Sequence, residues 1–176
     1  MVAAANGQAV AQLEDIGHGF DGQDGNSFDF TEKNMTHVKS NFEGKYSDLT
    51  GKIIGAFFQV HKELGYGFSE KVYENALAII LREQGLNVKQ QVPIKVYFHD
   101  QVVGEYIADL VVNDFVLLEL KAAQKLNDDH AAQLLNYLKS TEIEVGLLLN
   151  FGPQAEFRRK IYDNERKGSL SWIQNP

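Results

Sequence analysis

The stretch Leu117–Ser140, "LLELKAAQKLNDDHAAQLLNYLKS", sets Glu119 and Lys121 two residues apart in an apolar run, then carries His130, Gln133 and Tyr137 on a helix-like segment. Side chains two apart on a strand share a face. A buried strand end would therefore put two charged groups into one poorly hydrated space, which is costly unless they are paired or coordinate something. Just upstream, Asp109 is the one polar residue of "IADLVV" (107–112). Three charged residues interrupting apolar strands so close together in sequence point to a shared site, because charges are rarely buried without a partner.

The elements on either side follow from periodicity. Leu49, Ile53, Ala56, Phe57, Val60 and Leu64 recur at helical spacing from near Asp48, with Ser47 or Asp48 as cap and Gly65 as a left-handed stop. After the loop "GYGFS", a second helix starts with Ser69 as cap, shows Val72, Tyr73, Ala76, Leu77, Ile80 and Leu81 as its apolar stripe, and ends at Gly85. Glu70 falls in its first turn, where the helix dipole alone would stabilise a carboxylate. Beyond Gly85 the period changes to two. Val92, Ile94, Val96 and Phe98 alternate with Pro93, Lys95 and Tyr97, "HDQ" turns the chain, and Val103 to Val112 makes a second strand that should be central. "FVLLELK" is a third strand, about 127–140 a helix and "EVGLLLNF" a buried fourth strand. "EFRRKIYDNE" favours a short strand through Phe157 to Tyr162, with helix as the competing reading. The crossover through 127–140 should make the third and fourth strands parallel, so the fold expected is α/β with a mixed sheet flanked by helices.

Two hairpin registers are open at Asn113 and Asp114. A two-residue loop pairs Asp109 with Leu118 and sends Asp109 and Glu119 to opposite faces; a three-residue loop or a bulge sets Asp109 across from Glu119. A structural salt bridge from Lys121 would account for one carboxylate and leave the other unpaired. A divalent cation held by both accounts for the two, and it requires the second register. On the helix that follows, Ala131, Leu134, Leu135 and Leu138 form the core stripe, while His130, Gln133 and Tyr137 lie together on the flank beside it.

Composition narrows the classes. The 176 residues suit one well-filled domain. No run approaches the length of a membrane span, and the N-terminus has no basic leader with an apolar core, so a cytoplasmic protein without a membrane partner is expected. The absence of cysteine excludes disulfides, thiolate zinc, iron–sulfur clusters and cysteine nucleophiles in these residues. The net charge of −7 is uneven: residues 1–34 hold six acidic residues against Lys33, which leaves −2 for the remainder. Residues 1–47, rich in Gly, Ala, Asn, Gln and Asp and without a sustained period, read as a flexible or loosely packed extension, and 48–176 as the folded domain. Arg158, Arg159 and Lys160 form a short basic cluster, read either as a solvated face or as a phosphate contact.

These motifs resemble a known family. Asp109 followed by Glu119-Leu120-Lys121 is similar to the D…(D/E)-x-K signature of the PD-(D/E)XK nuclease superfamily, and Gln133 with Tyr137 resembles the Q-x-x-x-Y motif of its RecB-like branch. "GFSEKVY" (67–73), "LTGKIIGAFFQVHKELG" (49–65) and "GLLLNFG" (146–152) resemble the GxxExxY family of small prokaryotic proteins within that superfamily. The resemblance implies a restriction-endonuclease-like core with Asp109 and Glu119 as ligands of Mg2+ or Mn2+, Glu70 as a further ligand or water holder, and Lys121 as the catalytic lysine. Gln133 and Tyr137 would contact substrate phosphate or support that lysine, with His130, Arg158 and Arg159 as further phosphate contacts.

The resulting expectation is a metal-dependent phosphodiesterase acting on DNA, at ends, single strands or branched structures, with no iron–sulfur cluster; the oligomeric state is left open, a homodimer being one possible assembly. The alternative is a non-catalytic module that keeps the fold to bind nucleic acid or protein, its polar triad a plain ion pair.

Overall fold

The computed structural model describes residues 10–13, 44–168 and 170–173. The elements run β1 (Val10–Leu13), α1 (Ser47–Leu64), α2 (Glu70–Glu83), β2 (Val88–Phe98), β3 (Gln101–Val112), β4 (Val116–Lys121), α3 (Asp128–Lys139), β5 (Val145–Phe151) and β6 (Ala155–Ile161), followed by a 3-10 turn at Asn164–Lys167. Most of the expected extension over 1–47 lies outside the described residues. Within it, β1 runs parallel to β6 at one edge of the sheet, Val10 opposite Glu156.

The six strands stand in the order β1-β6-β5-β4-β3-β2. β4 and β5 are parallel, joined through α3 as the crossover requires, and β5–β6, β4–β3 and β3–β2 are antiparallel. The strand expected at the centre, β3, lies one place from the edge. β4 and β5 occupy the middle, which explains their unbroken apolar character. The ambiguous segment is a strand, and Phe157 packs into the core from it.

Two apolar layers flank the sheet. On one face α1 and α2 pack Ile53, Phe57, Tyr73, Leu77 and Leu81 against Leu110, Leu118, Leu120, Leu147 and Phe151. On the other, α3 packs Leu134, Tyr137 and Leu138 against Ile94, Leu117 and Leu148. The sequence placed Val72 in the stripe of α2, but it is exposed, and Glu74 and Ala78 take the buried positions beside Tyr73 and Leu77. Phe98, expected to alternate inward, is exposed at the tip of the β2–β3 hairpin. Tyr137 is itself buried and belongs to the core stripe of α3, while Ala131 and Leu135 are only partly covered.

Capping also departs from expectation. Ser69 precedes α2 but makes no side-chain cap, and α1 follows Tyr46, a left-handed residue at φ 58° whose ring stacks on Phe115 at 4.9 Å. At α3, Asn127 accepts from the His130 N–H at 3.0 Å while His130 Nδ1 accepts from the Asn127 N–H at 3.4 Å, a reciprocal capping box. Asn127→Ala should therefore lower stability by about 1 kcal/mol. A melting temperature unchanged from wild type would show that the box contributes nothing.

Candidate active site

The hairpin between β3 and β4 decides where the acidic groups go. Val112 pairs with Val116, Val111 with Leu117 and Leu110 with Leu118, so the loop is Asn113, Asp114 and Phe115, the three-residue alternative, and the paired register ends one residue short of Asp109. Asn113 and Asp114 both adopt positive φ (52° and 62°), a conformation these two residue types tolerate.

At Asp109 the ladder stops and the side chain takes over. Its Oδ2 accepts from the Leu120 N–H at 2.7 Å, and its Oδ1 lies 3.4 Å from Gln91 Nε2. Gln91, directly across on β2, has φ 52°, and the strand pair changes faces there. Tyr106 and Ala108 pack towards α3, whereas Leu110 and Val112 pack towards α1 and α2. That irregularity brings the Asp109 carboxylate to the end of β4, where Glu119 and Lys121 turn towards α3.

Glu119 is 2% exposed. Its Oε1 accepts from Lys121 Nζ at 2.6 Å, and its Oε2 is buried with no hydrogen-bond partner. A second donor of Lys121 goes to Gln133 Oε1 at 3.0 Å, and Gln133 Nε2 donates to the Tyr137 hydroxyl at 2.6 Å. A continuous chain thus runs from Tyr137 through Gln133 and Lys121 to Glu119. His130 is held in the capping box at the start of the same helix.

Glu70 approaches from α2, its Oε1 accepting from the Ala122 N–H at 3.2 Å. The loop that delivers it is fastened by Tyr73, whose hydroxyl donates to Gly65 O at 2.9 Å and accepts from the Phe68 N–H at 3.2 Å, and whose ring stacks on Phe151 at 4.4 Å. Gly67, at φ 110°, supplies a bend that other residues rarely adopt. Gly67, Glu70 and Tyr73 therefore act as one unit that sets a carboxylate at the exit of β4.

Electrostatics follow from crowding and burial. Burial raises the Glu119 carboxyl to about 7, against the bond from Lys121, and the charge of Asp109 adds to the rise. Asp109 is raised by burial too, partly countered by the Leu120 N–H. Burial works against the charge of Lys121, but its bond to Glu119 and the surrounding carboxylates hold its pKa above the ordinary lysine value, so it is an ammonium at neutral pH. Burial, with the Lys121 charge behind it, lowers His130. The Tyr137 phenol is raised by burial, against its bond with Gln133.

The donor set fits a hard cation that keeps part of its coordination for water and substrate. Among the described residues no three His, Cys, Asp or Glu side chains are gathered in a metal-holding group. Magnesium needs only one or two carboxylates when substrate phosphate supplies the rest, and the orphaned Oε2 of Glu119 is an unused acceptor beside Asp109.

The basic cluster is divided. Arg158 lies on the α3 side with Nη1 3.7 Å from Asp128 Oδ1. Arg159, 6% exposed, points to the other face and donates to Lys45 O. Strand alternation separates the two, so Arg159 is not brought to the acidic site. Several residues that sequence reasoning missed do converge on it. Glu74, buried, accepts from Gln91 Nε2 at 2.7 Å, from Gln90 Nε2 at 2.9 Å and from Lys71 at 2.7 Å, which ties α2 to the strand residue facing Asp109. Asn150 bonds both backbone groups of Ala123, N–H to Oδ1 at 2.9 Å and Nδ2 to O at 3.0 Å, fixing the chain just after Lys121. Asn150 carried a signal, a polar residue inside the apolar run "GLLLNF"; Glu74 lies beside the expected apolar stripe of α2 and carried none.

The architecture is a restriction-endonuclease-like α/β core: a mixed sheet between helices, with acidic side chains and a lysine where β3 and β4 meet α2 and α3. The chain belongs to the PD-(D/E)XK nuclease superfamily, whose family profile matches residues 47–160. Two solved structures are similar in outline. One is described as the crystal structure of SSO0001 (13% identity, TM-score 0.45, covering 79% of this chain and 78% of that one). The other is an alkaline exonuclease, LHK-Exo, from Laribacter hongkongensis (14% identity, TM-score 0.42, covering 77% and 80%). A comparison with curated proteins found no match. No described helix is long and apolar enough to cross a membrane.

Proposed function

We propose that the domain over 48–176 is a Mg2+- or Mn2+-dependent nuclease that hydrolyses DNA phosphodiester bonds at ends, single strands or branched structures, of the GxxExxY type with a RecB-like Gln133–Tyr137 motif. The observation that carries this reading is Glu119: a buried carboxylate with one oxygen on Lys121, the other unpartnered, and the Asp109 carboxylate held on the N–H of the next residue, Leu120. A structural ion pair would use both partners fully, whereas this one leaves an acceptor aimed at nothing the chain provides.

Asp109 and Glu119 would hold a divalent cation, with Glu70 as a further ligand or water holder, and the chemistry it would supply there is Lewis-acid polarisation of a phosphate and a lowered pKa of bound water. The remaining work belongs to the chain. Lys121, kept cationic and fixed by Gln133, places positive charge where negative charge gathers on the phosphate oxygens, and its remaining donor can orient a water. Tyr137 holds Gln133, and Gln133 holds the lysine, so the ammonium is positioned before substrate arrives. His130 at the start of α3, and Arg158 on β6 with its guanidinium 3.7 Å from Asp128, would contact a neighbouring phosphate. A homodimer would present two such sites to the two strands of a duplex, and mass in solution decides that point.

The test is incubation of end-labelled single-stranded, duplex, flapped and branched DNA, with matching RNA, in magnesium, manganese or chelator. Metal-dependent cutting of DNA is the expected result, with ends, single strands or branches preferred over intact duplex. Binding without cutting on every substrate and with either metal would replace this reading by that of a non-catalytic module, in which Lys121 and Glu119 serve as a plain ion pair.

A further inference from the structure

The sheet face that carries Lys121 continues beyond Tyr137. The ring of Tyr137 lies 5.5 Å from that of Tyr106, and Tyr106 opens onto a crevice of ≈ 460 Å3 between α3, the β2–β3 hairpin and the C-terminal segment. Gln133, Asn136 and Ser140 stand on one side of α3, so the distance along the helix from the lysine's partner to the far wall of the crevice is about 10 Å.

The lining is unlike the rest of an acidic chain. Three rings, Tyr106, Tyr162 and Trp172, alternate with three cations, Lys139, Arg166 and Lys167, and no carboxylate is among the lining residues. Arg166 and Lys139 lie 5.0 and 5.6 Å from the centre of the Tyr162 ring. Trp172 is fastened at the edge: its Nε1 donates to Lys139 O at 2.9 Å and its carbonyl accepts from the Tyr97 N–H at 3.0 Å. Lys167 is 2% exposed, and its ammonium donates to Thr141 O and Ile143 O at 2.8 and 2.9 Å rather than to a carboxylate. Burial pushes its pKa down to about 8, against the pull of Glu144 and Asp163. A buried cation whose hydrogen bonds go to carbonyls, with Glu144, Asp163 and Glu142 acting on it only through space, keeps charge to offer an anion in the adjoining space.

We propose that this crevice is a subsite for one unpaired nucleotide of a DNA strand, adjoining the nucleotide at the cut: phosphate against Lys139, Arg166 and Lys167, base against Tyr106, Tyr162 and Trp172. The assignment rests on the nuclease reading above and deepens it. Rings and guanidinium planes stack on any base, so the subsite accepts all sequences. Bases paired inside a duplex cannot reach the rings, so the subsite selects single strands, flaps and frayed ends. The volume falls within the about 300–1,000 Å3 typical of sites for small ligands, which matches one nucleotide better than a helix.

Trp172 is the only tryptophan of the chain, so its emission reports on this crevice alone. The experiment titrates the full chain carrying Glu119→Gln, which blocks turnover, with an oligothymidylate in chelator. Saturable quenching is expected, with a blunt duplex of equal length leaving the emission unchanged. Adding Lys139→Gln and Arg166→Gln, both at exposed residues, should weaken binding of a labelled single strand roughly tenfold and reduce the slope of log affinity against log salt by roughly one to two. The same pair of substitutions in the otherwise wild-type protein should leave hydrolysis of a small phosphodiester unchanged. Emission that does not move while the labelled strand binds or is cut would overturn the subsite and leave the nuclease reading standing. Equal quenching by duplex, or unchanged affinity in the double variant, would overturn it as well. Quenching by single strands from a wild-type protein that cuts no DNA in either metal would support the subsite and remove the nuclease reading.

Discussion

Glu119→Gln is expected to reduce metal-dependent cleavage by roughly three orders of magnitude while leaving the protein at least as stable as wild type. The loss follows from the role of the carboxylate: the amide keeps the shape and can still accept from Lys121, but it removes the negative charge beside Asp109 that would hold a divalent cation. The stability effect has a direction in pH. The folded-state value of about 7 lies above the ordinary 4.5, so between those values the folded protein holds a proton that the unfolded chain has released. Stability from this group is therefore full below about 4.5, falls as pH rises, and is lost above about 7, by up to a few kcal/mol at about 1.4 kcal/mol per unit. Glutamine does not titrate. In chelator the stability difference should shift towards the variant by about 2 kcal/mol between pH 5 and pH 8, the unpaired amide N–H lowering the variant equally at both. Urea unfolding at the two pH values measures the difference. A variant that cuts like wild type would remove Glu119 from the mechanism, and a stability gap that does not widen with pH would mean that its carboxylate is hydrated.

Which of these features could be read from the chain depends on how local their causes are. Helices α1 and α2 were legible because apolar spacing over ten or more residues leaves one solution, strands β4 and β5 because short unbroken apolar runs mark buried strands, and the β4–α3–β5 crossover followed from the helix between them. The approach of Asp109 to Glu119 was legible only as one of two registers. A single residue of loop length separates them, and the choice rests on left-handed conformations at Asn113 and Asp114 that many sequences tolerate. The face change at Gln91 and Asp109 was hidden because a glutamine at φ 52° has no compositional signature. Arg158 and Arg159 looked like one patch because adjacency in sequence resembles adjacency in space, whereas a strand sends neighbours to opposite sides. Glu74 was unreadable for a different reason: its burial is made acceptable by Gln90, Gln91 and Lys71, and two of those three partners come from another element.

Gly152→Ala should cost about 3 kcal/mol or more, far beyond an ordinary glycine-to-alanine change outside a helix. A Cβ at this position would lie within the van der Waals radius of Ala123 O and 2.9 Å from Asn150 Nδ2, so the backbone of one strand exit must move. Nothing there can give way cheaply. Ala123 is held on both sides by the Asn150 amide, and the carbonyl of Gly152 lies 2.8 Å from His61 Nε2 on α1. Gly146 is the control: a Cβ there would stand 2.8 Å from Leu134 Cδ1, the far end of a side chain that can rotate, and Gly146→Ala should cost about 1–2 kcal/mol. The two variants should also separate in activity. Ala122 and Ala123 directly follow Lys121, and the Ala122 N–H is the partner of Glu70, so displacing this exit shifts Lys121 and Glu70 relative to Asp109. Displacements on the order of 1 Å can cost about a hundredfold in rate when geometry carries the catalysis. Gly152→Ala should accordingly lose cleavage at temperatures where it is still folded by circular dichroism, while folded Gly146→Ala retains it. Equal stability losses in the two variants, or full cleavage by folded Gly152→Ala, would mean that the Asn150–Ala123 clamp does not set the position of the lysine.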